Sequence, residues 1–281
     1  MTLIDDADLR RFLEDDCPFS DVTTAGLEIS DAMARASFEA RDDMIVCGSE
    51  AAVRLFQLAG AQAKPLAATG AFASAGTRLV EITGTAGQIH RTYKVAQTLM
   101  EVLSGFATAG RAIVDAARSA SPQCRVACTR KHMPGIKRWA LMAIEAGGAA
   151  PHRLGLSDYV LVFDEHRVLL DNNVPLAEHF AKLKAHAPER RLAAEGATLD
   201  EALMLADAGA EIVQVDKMTP ADVSQVAAAF ARRANRPLLA AAGGINAGNA
   251  AAYAAAGADV LVTSSPYYAP PRDVKVRISR A

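Results

Sequence analysis

RLAAEGATLDEALMLADAGAEIVQVDKMTPADVSQVAAAFARRANRPLLAAAGGI, residues 191–245, reads as strand, helix, strand, helix, strand. RLAAE, EIVQVD and RPLLAAAGG are short apolar runs, and the segments between them, TLDEALMLADAGA and ADVSQVAAAFARRA, carry helical composition. The alternation extends upstream through RVACT, IKRWALMAIEAGG, YVLVFD and PLAEHFAKLKAHA, and downstream through NAGNAAAYAAAG to DVLVTSS. Strands that alternate with helices in this way predict a parallel βα barrel or a doubly wound sheet. The polar residues decide between the two. Thr129, Arg130 and Lys131; Asp164, Glu165 and His166; Glu195; Asp216 and Lys217; Gly243 and Gly244; and Thr263, Ser264 and Ser265 all fall at strand C-termini. A βα barrel gathers those ends on one face, so the pattern predicts a single cleft there.

Residues before about 120 read differently. Helical pieces at Asp5 to Leu13, Glu50 to Ala59, and Thr92 to Ser119 with a break near Gly105 flank strands at Arg35 to Ala40, Met44 to Cys47, Lys64 to Ala68 and Leu79 to Thr83. This predicts a separate α/β domain. The division expected is 1–110, completed by 270–281, and a barrel over 111–269.

The chain has 281 residues, half of them hydrophobic, and a formal net charge of −2. Without a Lys/Arg run it has no electrostatic footprint for nucleic acid or an anionic membrane, so any anion binding must be local. MTLIDDADLRRFLEDD is acidic and amphipathic, and no stretch approaches about 18 uninterrupted apolar residues, which together suggest a cytoplasmic protein. Cys17, Cys47, Cys124 and Cys128 lack the paired spacing of a zinc site and read as reduced, buried thiols.

Specific motifs run through most of the chain: FLEDDCPFSDVTT, LSGFAT at Leu103 to Thr108, TRK at Thr129 to Lys131, HR-x-GL-x-D from His152 to Asp158, VDKMTP and AAGGI. Together they resemble the quinolinate phosphoribosyltransferase (nicotinate-nucleotide pyrophosphorylase) family. The resemblance implies an N-terminal α/β sandwich packed on an incomplete, seven-stranded type of βα barrel. It also implies a homodimer with shared active sites and transfer of a phosphoribosyl group from phosphoribosyl pyrophosphate (PRPP) to a nitrogen heterocycle, with Mg²⁺ on the pyrophosphate. Lys131, Glu195 and Asp216 are then the expected catalytic residues, with Glu195 and Asp216 near metal and ribose.

The residues support that assignment on their own chemistry. Adjacent Arg130 and Lys131 at a barrel mouth need an anion, and Arg offers a planar fork for carboxylate or phosphate. His152 and Arg153 repeat the arrangement, and the resemblance makes them acceptor-binding. The cap of the helix after Asp216 belongs to Thr219, with Pro220 at its first position, which leaves Asp216 to the site. Gly243 and Gly244 end a strand before a helix expected near Asn246, where backbone N–H groups and a helix N-terminus can hold a phosphate. Ser264 stands in the family's second phosphate turn, where it replaces a glycine.

Three further departures concern the substrates. Phe163 in LVFDEH replaces a family lysine, Lys94 replaces an arginine ahead of LSG, and Lys217 replaces the last residue of a VDN-like triplet. Losing a cation disfavours a dicarboxylate, because charge-assisted hydrogen bonds contribute about 1.5–3 kcal/mol each. The reading is therefore a retained PRPP site with a rebuilt acceptor pocket walled by Phe163, with Lys217 partly compensating. These changes resemble the branch called ModD, pyrophosphorylases associated with molybdate transport. Two alternatives stand beside it: quinolinate phosphoribosyltransferase proper, and a non-catalytic protein binding a nucleotide or an oxyanion such as molybdate.

Overall fold

The computed structural model describes residues 4–281, so the first three residues of the acidic N-terminal segment lie outside the description. The chain divides into two compact units. One comprises Met1–Arg111, Met133–Gly148 and Pro266–Ala281; the other comprises Ala112–His132 and Ala149–Ser265. Met133–Gly148 groups with the first unit although its neighbours on both sides group with the second.

The first unit begins with α1 (Asp6–Asp16), whose N-cap Asp5 accepts the Ala7 N–H at 2.9 Å, and a short α2 (Val22–Gly26). Its strands are β1 (Met33–Ala40), β2 (Met44–Ile45), β3 (Gln62–Pro65), β4 (Phe72–Ala73) and β5 (Arg78–Thr85), with α3 (Ser49–Leu58) between β2 and β3. In β1, Ala34, Ala36, Phe38 and Ala40 are buried at period two, which marks one face as core. Phe38 meets Phe56 of α3 edge-on at 5.9 Å. The C-terminal strand Val274–Arg280 pairs antiparallel with β1, so the sheet runs from that strand through β1 and β5 to β3.

Sequence reasoning placed a helix break near Gly105; instead α4 runs unbroken from Ala86 to Ala120. Gly105 serves an approach rather than a break: a Cβ there would lie 2.4 Å from the Pro270 carbonyl oxygen. The last helix of this unit, α5 (Lys137–Ala146), buries Trp139, which packs on Phe12 of α1 at 5.8 Å, and Arg138 pairs with Asp5 at 2.8 Å.

The second unit carries β6 (Arg125–Cys128), β7 (Ala150–Pro151), β8 (Val160–Val162), β9 (Leu192–Gly196), β10 (Ile212–Asp216), β11 (Leu238–Ala242) and β12 (Val260–Thr263). They form one all-parallel sheet in the order β7-β6-β12-β11-β10-β9-β8. This is the expected incomplete barrel: seven strands whose end strands β7 and β8 do not pair. Six of the strands were legible as apolar runs. The seventh, β7, is two residues long and has no pattern to read.

Between the strands run α6 (Asp164–Arg167), α7 (Leu176–His186), α8 (Leu199–Asp207), α9 (Pro220–Ala231) and α10 (Ala250–Ala255). Thr219 caps α9 as its spacing predicts, in a reciprocal box with Asp222. Strand interiors are buried and small: Ala193, Ala194, Ala240, Ala241 and Ala242 all lie in the core. The four cysteines are free and buried, and burial pushes the Cys128 thiol up to about 12 and Cys124 to about 11, which keeps them protonated and unreactive. Among the described residues no helix is long and apolar enough to cross a membrane.

Candidate active site

Parallel register brings the C-terminal strand ends to one level. Asp216 stands opposite Ala242, Ala242 opposite Val262, and Thr263 opposite Cys128, after which Thr129, Arg130 and Lys131 follow directly. A cavity of about 770 Å³ opens over these ends within the second unit. Its walls include Thr129, Arg130, Lys131, His152, Arg153, Phe163, Glu195, Gln214, Asp216, Lys217, Gly243, Gly244, Thr263, Ser264 and Ser265. Every catalytic or substrate-binding residue expected from the family resemblance lines it except Lys94. Lys94 lies on α4 in the first unit, bonds Gln97 at 2.8 Å, and borders a separate hollow with Phe12, Val95 and Trp139.

The charge balance is uneven: Arg130, Lys131, Arg153 and Lys217 stand against Glu195 and Asp216. Lys217 reaches Asp216 at 3.6 Å. Burial and, after it, the neighbouring Arg130 lower the pKa of Arg153 from its ordinary value, against the opposing pull of Asp158, Tyr159 and Glu195. The Arg153 guanidinium lies over the Phe163 ring at 5.3 Å, so the aromatic face substitutes for an anionic partner. Burial, with Arg153 beside it, pushes His152 down to about 4, which makes it a neutral hydrogen-bonding group at pH 7 rather than another cation.

Glu195 is half-buried, and burial together with Asp216 raises its pKa, opposed by a hydrogen bond from the Gln214 amide. A carboxyl held up by a second carboxylate nearby would be relieved by a cation between them. Among the described residues no group of three or more His, Cys, Asp and Glu side chains could cage a metal. Two carboxylates do suit Mg²⁺, which takes one or two protein oxygens and fills its octahedron with water and substrate phosphate oxygens.

Two expectations need correction. Asp164, Glu165 and His166 do not line the cavity; they form the single turn of α6, where Asp164 pairs with Arg167 at 3.2 Å. The reason is local: the His166 Nδ1 accepts the Phe163 N–H at 3.0 Å, which closes a turn immediately after β8. The helix after Gly244 starts at Ala250, not near Asn246. Asn246 and Asn249 fold the intervening loop through their side chains, each amide donating to the Gly244 carbonyl at 3.1 Å. The backbone N–H groups of the turn, not a helix end, are therefore what this corner offers a phosphate.

Gly243 and Gly244 have φ of +91° and +73°, and a Cβ on Gly243 would fall 2.6 Å from the Lys217 nitrogen. Lys217 itself sits at φ +57°, where a side chain is disfavoured, and donates its N–H to Ala242 at 2.8 Å. Ser264 shares a 2.6 Å hydrogen bond with Thr129, whose hydroxyl also accepts the Lys131 N–H at 3.1 Å, tying two strand ends together. Sequence reasoning did not single out Gln214, although a glutamine inside an apolar run, IVQVD, was a readable signal.

Comparison with known proteins follows this geometry. Residues 21–104 match the family model for the quinolinate phosphoribosyl transferase N-terminal domain, and residues 106–277 match that for its C-terminal domain. The chain is 43% identical over 251 residues to a Rhodobacter capsulatus protein named "Putative pyrophosphorylase ModD", covering 89% of this chain and 96% of that one. It is 29% identical over 259 residues to a Methanothermobacter thermautotrophicus protein named "Probable nicotinate-nucleotide pyrophosphorylase", covering 90% and 91%. The fold is similar to that of NadC from Streptococcus pyogenes, with a TM-score of 0.89 over 98% of this chain and 96% of that one, at 23% identity.

Proposed function

Because this chain belongs to the quinolinate phosphoribosyltransferase family, a family of pentosyl-transferring enzymes, we propose that its cavity joins the phosphoribosyl group of PRPP to a ring nitrogen other than that of quinolinate. The carrying observation is one cavity lined by four cations, two carboxylates and an aromatic wall at Phe163, where the family resemblance implies a cation.

In this reaction the ring nitrogen's electron pair forms a bond to the anomeric carbon while the bond from that carbon to pyrophosphate breaks, and the electrons leave with pyrophosphate. Positioned charge is the main contribution required of the protein. Lys131 neutralises the leaving pyrophosphate, the Gly243–Gly244 turn and Ser264 receive the 5′-phosphate, and Arg130, His152 and Arg153 orient the acceptor. Glu195 and Asp216 hold the ribose and would hold Mg²⁺, which would supply charge neutralisation on the pyrophosphate when bound. They also shelter the positive charge that grows at the anomeric carbon. Lys94 completes the site of a partner subunit in a homodimer.

Phe163 supports an acceptor less anionic than quinolinate, since its ring already engages Arg153. A purely anion-sensing role is disfavoured because two carboxylates in the cleft would weaken it. The relation to molybdate transport rests on the likeness to ModD alone.

Pyrophosphate release from PRPP and Mg²⁺, assayed with quinolinate, nicotinate and a panel of uncharged nitrogen heterocycles, tests the reading. Release with a ring other than quinolinate, lost in Asp216→Ala, is expected; release with quinolinate as the preferred acceptor would refute the rebuilt pocket, and silence with every ring would refute the transferase.

A further inference from the structure

Gln214 sits in the middle of β10, is 5% exposed, and faces the cavity. Its side-chain nitrogen donates to Glu195, while its Oε1, fully buried, has no hydrogen-bond partner. Buried side-chain acceptors are almost always satisfied, and one left unmet destabilises the fold that holds it. An unmet acceptor on a residue that lines a ligand cavity is what a ligand donor would complete.

The register says which part of a ligand reaches it. Gln214 stands opposite Glu195 on β9 and Ala240 on β11. Val162 pairs with Ala194, so Phe163, the next residue, comes level with Glu195. Phe163, Glu195 and Gln214 therefore form one layer across three adjacent strands, all lining the cavity. Strands lie about 4.8 Å apart, so this layer spans about 10 Å, the width of a small heterocycle with a substituent. Asp216 is two residues further along β10, about 6.5 Å nearer the open strand ends.

We propose that Gln214 is a specificity-determining residue whose side-chain carbonyl receives an N–H of the acceptor ring, so that the preferred acceptor is a heterocycle bearing an amino or ring N–H on the edge away from Phe163. This rests on the transferase reading for the identity of the ligand. It adds a requirement that anion recognition by Arg130 and Arg153 does not contain. A ring lacking the donor leaves Oε1 unmet while one carrying it completes the bond, and buried polar groups discriminate more sharply than apolar walls do.

The test compares nicotinate with its 2-amino and 6-amino derivatives, by calorimetric binding and by pyrophosphate release, in the wild type and in Gln214→Met. Methionine keeps the length and removes both amide atoms. The wild type should bind at least one amino derivative about tenfold or more tightly than nicotinate. In Gln214→Met that ratio should fall towards one while PRPP affinity stays within about twofold. Equal affinities in the wild type, or no binding of any of the rings, would overturn the proposal whether or not the variant folds. A ratio that survives in Gln214→Met would also overturn it, as would lost PRPP affinity with ring preference intact, which would assign Oε1 to a ribose hydroxyl. Failure of the transferase reading is a separate result: no pyrophosphate release from the wild type with any ring, against a binding ratio that is still read.

Discussion

Gly243 and Gly244 offer a controlled separation of two costs that usually come mixed. Both have positive φ, so alanine at either meets the penalty of a left-handed backbone, about 1–2 kcal/mol. Their surroundings differ completely. A Cβ on Gly244 would meet nothing within 4 Å, whereas one on Gly243 would lie 2.6 Å from both the nitrogen and Cγ of Lys217 and 2.9 Å from Asp216 Oδ1. Backbone cannot swing aside as a side-chain tip can, so Gly243→Ala adds an overpacking cost of about 1–3 kcal/mol. Gly244→Ala should therefore cost about 1–2 kcal/mol and Gly243→Ala about 2–5 kcal/mol. Urea unfolding of both variants, compared at matched m-values, measures the difference. Adding Lys217→Gly to Gly243→Ala removes the Cγ contact and the strained φ of Lys217, and should recover at least about 0.5 kcal/mol beyond additivity. If Gly244→Ala proved as costly as Gly243→Ala, the assignment of Gly243 to a close approach would be wrong.

Two further predictions concern helix packing and acid stability. Gly105→Ala drives a Cβ to 2.4 Å from the Pro270 oxygen and should destabilise by about 1–3 kcal/mol, whereas Gly110→Ala on the same helix meets nothing nearer than 3.9 Å and should stabilise by about 0.5–1 kcal/mol; thermal unfolding that moves both in one direction would contradict this. His152, held near 4 when folded against about 6.5 when unfolded, stays neutral while the unfolded chain takes up a proton, so stability falls as pH drops through that window. The deficit at pH 4.5 relative to pH 7 should shrink by about 2 kcal/mol in His152→Asn, and an unchanged deficit would show that the folded imidazole protonates normally.

Six of the seven barrel strands were legible because each is a short, mostly apolar run that ends at a polar residue or glycine, and burial on both faces of a parallel sheet leaves little other pattern for such a segment. The cap at Thr219 was legible for the same local reason, since the groups that satisfy it are three residues apart. Gly105 and Gln214 show where that legibility ends. Glycine in a helix window reads as a break until Pro270, 165 positions along the chain, is seen to need the space. Gln214 drew no reading from the sequence; only the register sets it beside Glu195, and its side-chain oxygen is left unmet.

The asparagines of the 246–249 loop and the turn at Phe163–His166 misled in the opposite direction. Side-chain to backbone hydrogen bonds there displaced the regular elements that propensity favoured. The sequence by itself determined the family, the alternation of strands and helices, and which residues stand at strand ends, because those follow from local pattern and chain order. Only the tertiary structure decided which of those ends share one cavity, how its cations outnumber its carboxylates, and which buried polar atom still lacks a partner. These depend on register between strands far apart in sequence, and register is settled by packing rather than by any one segment.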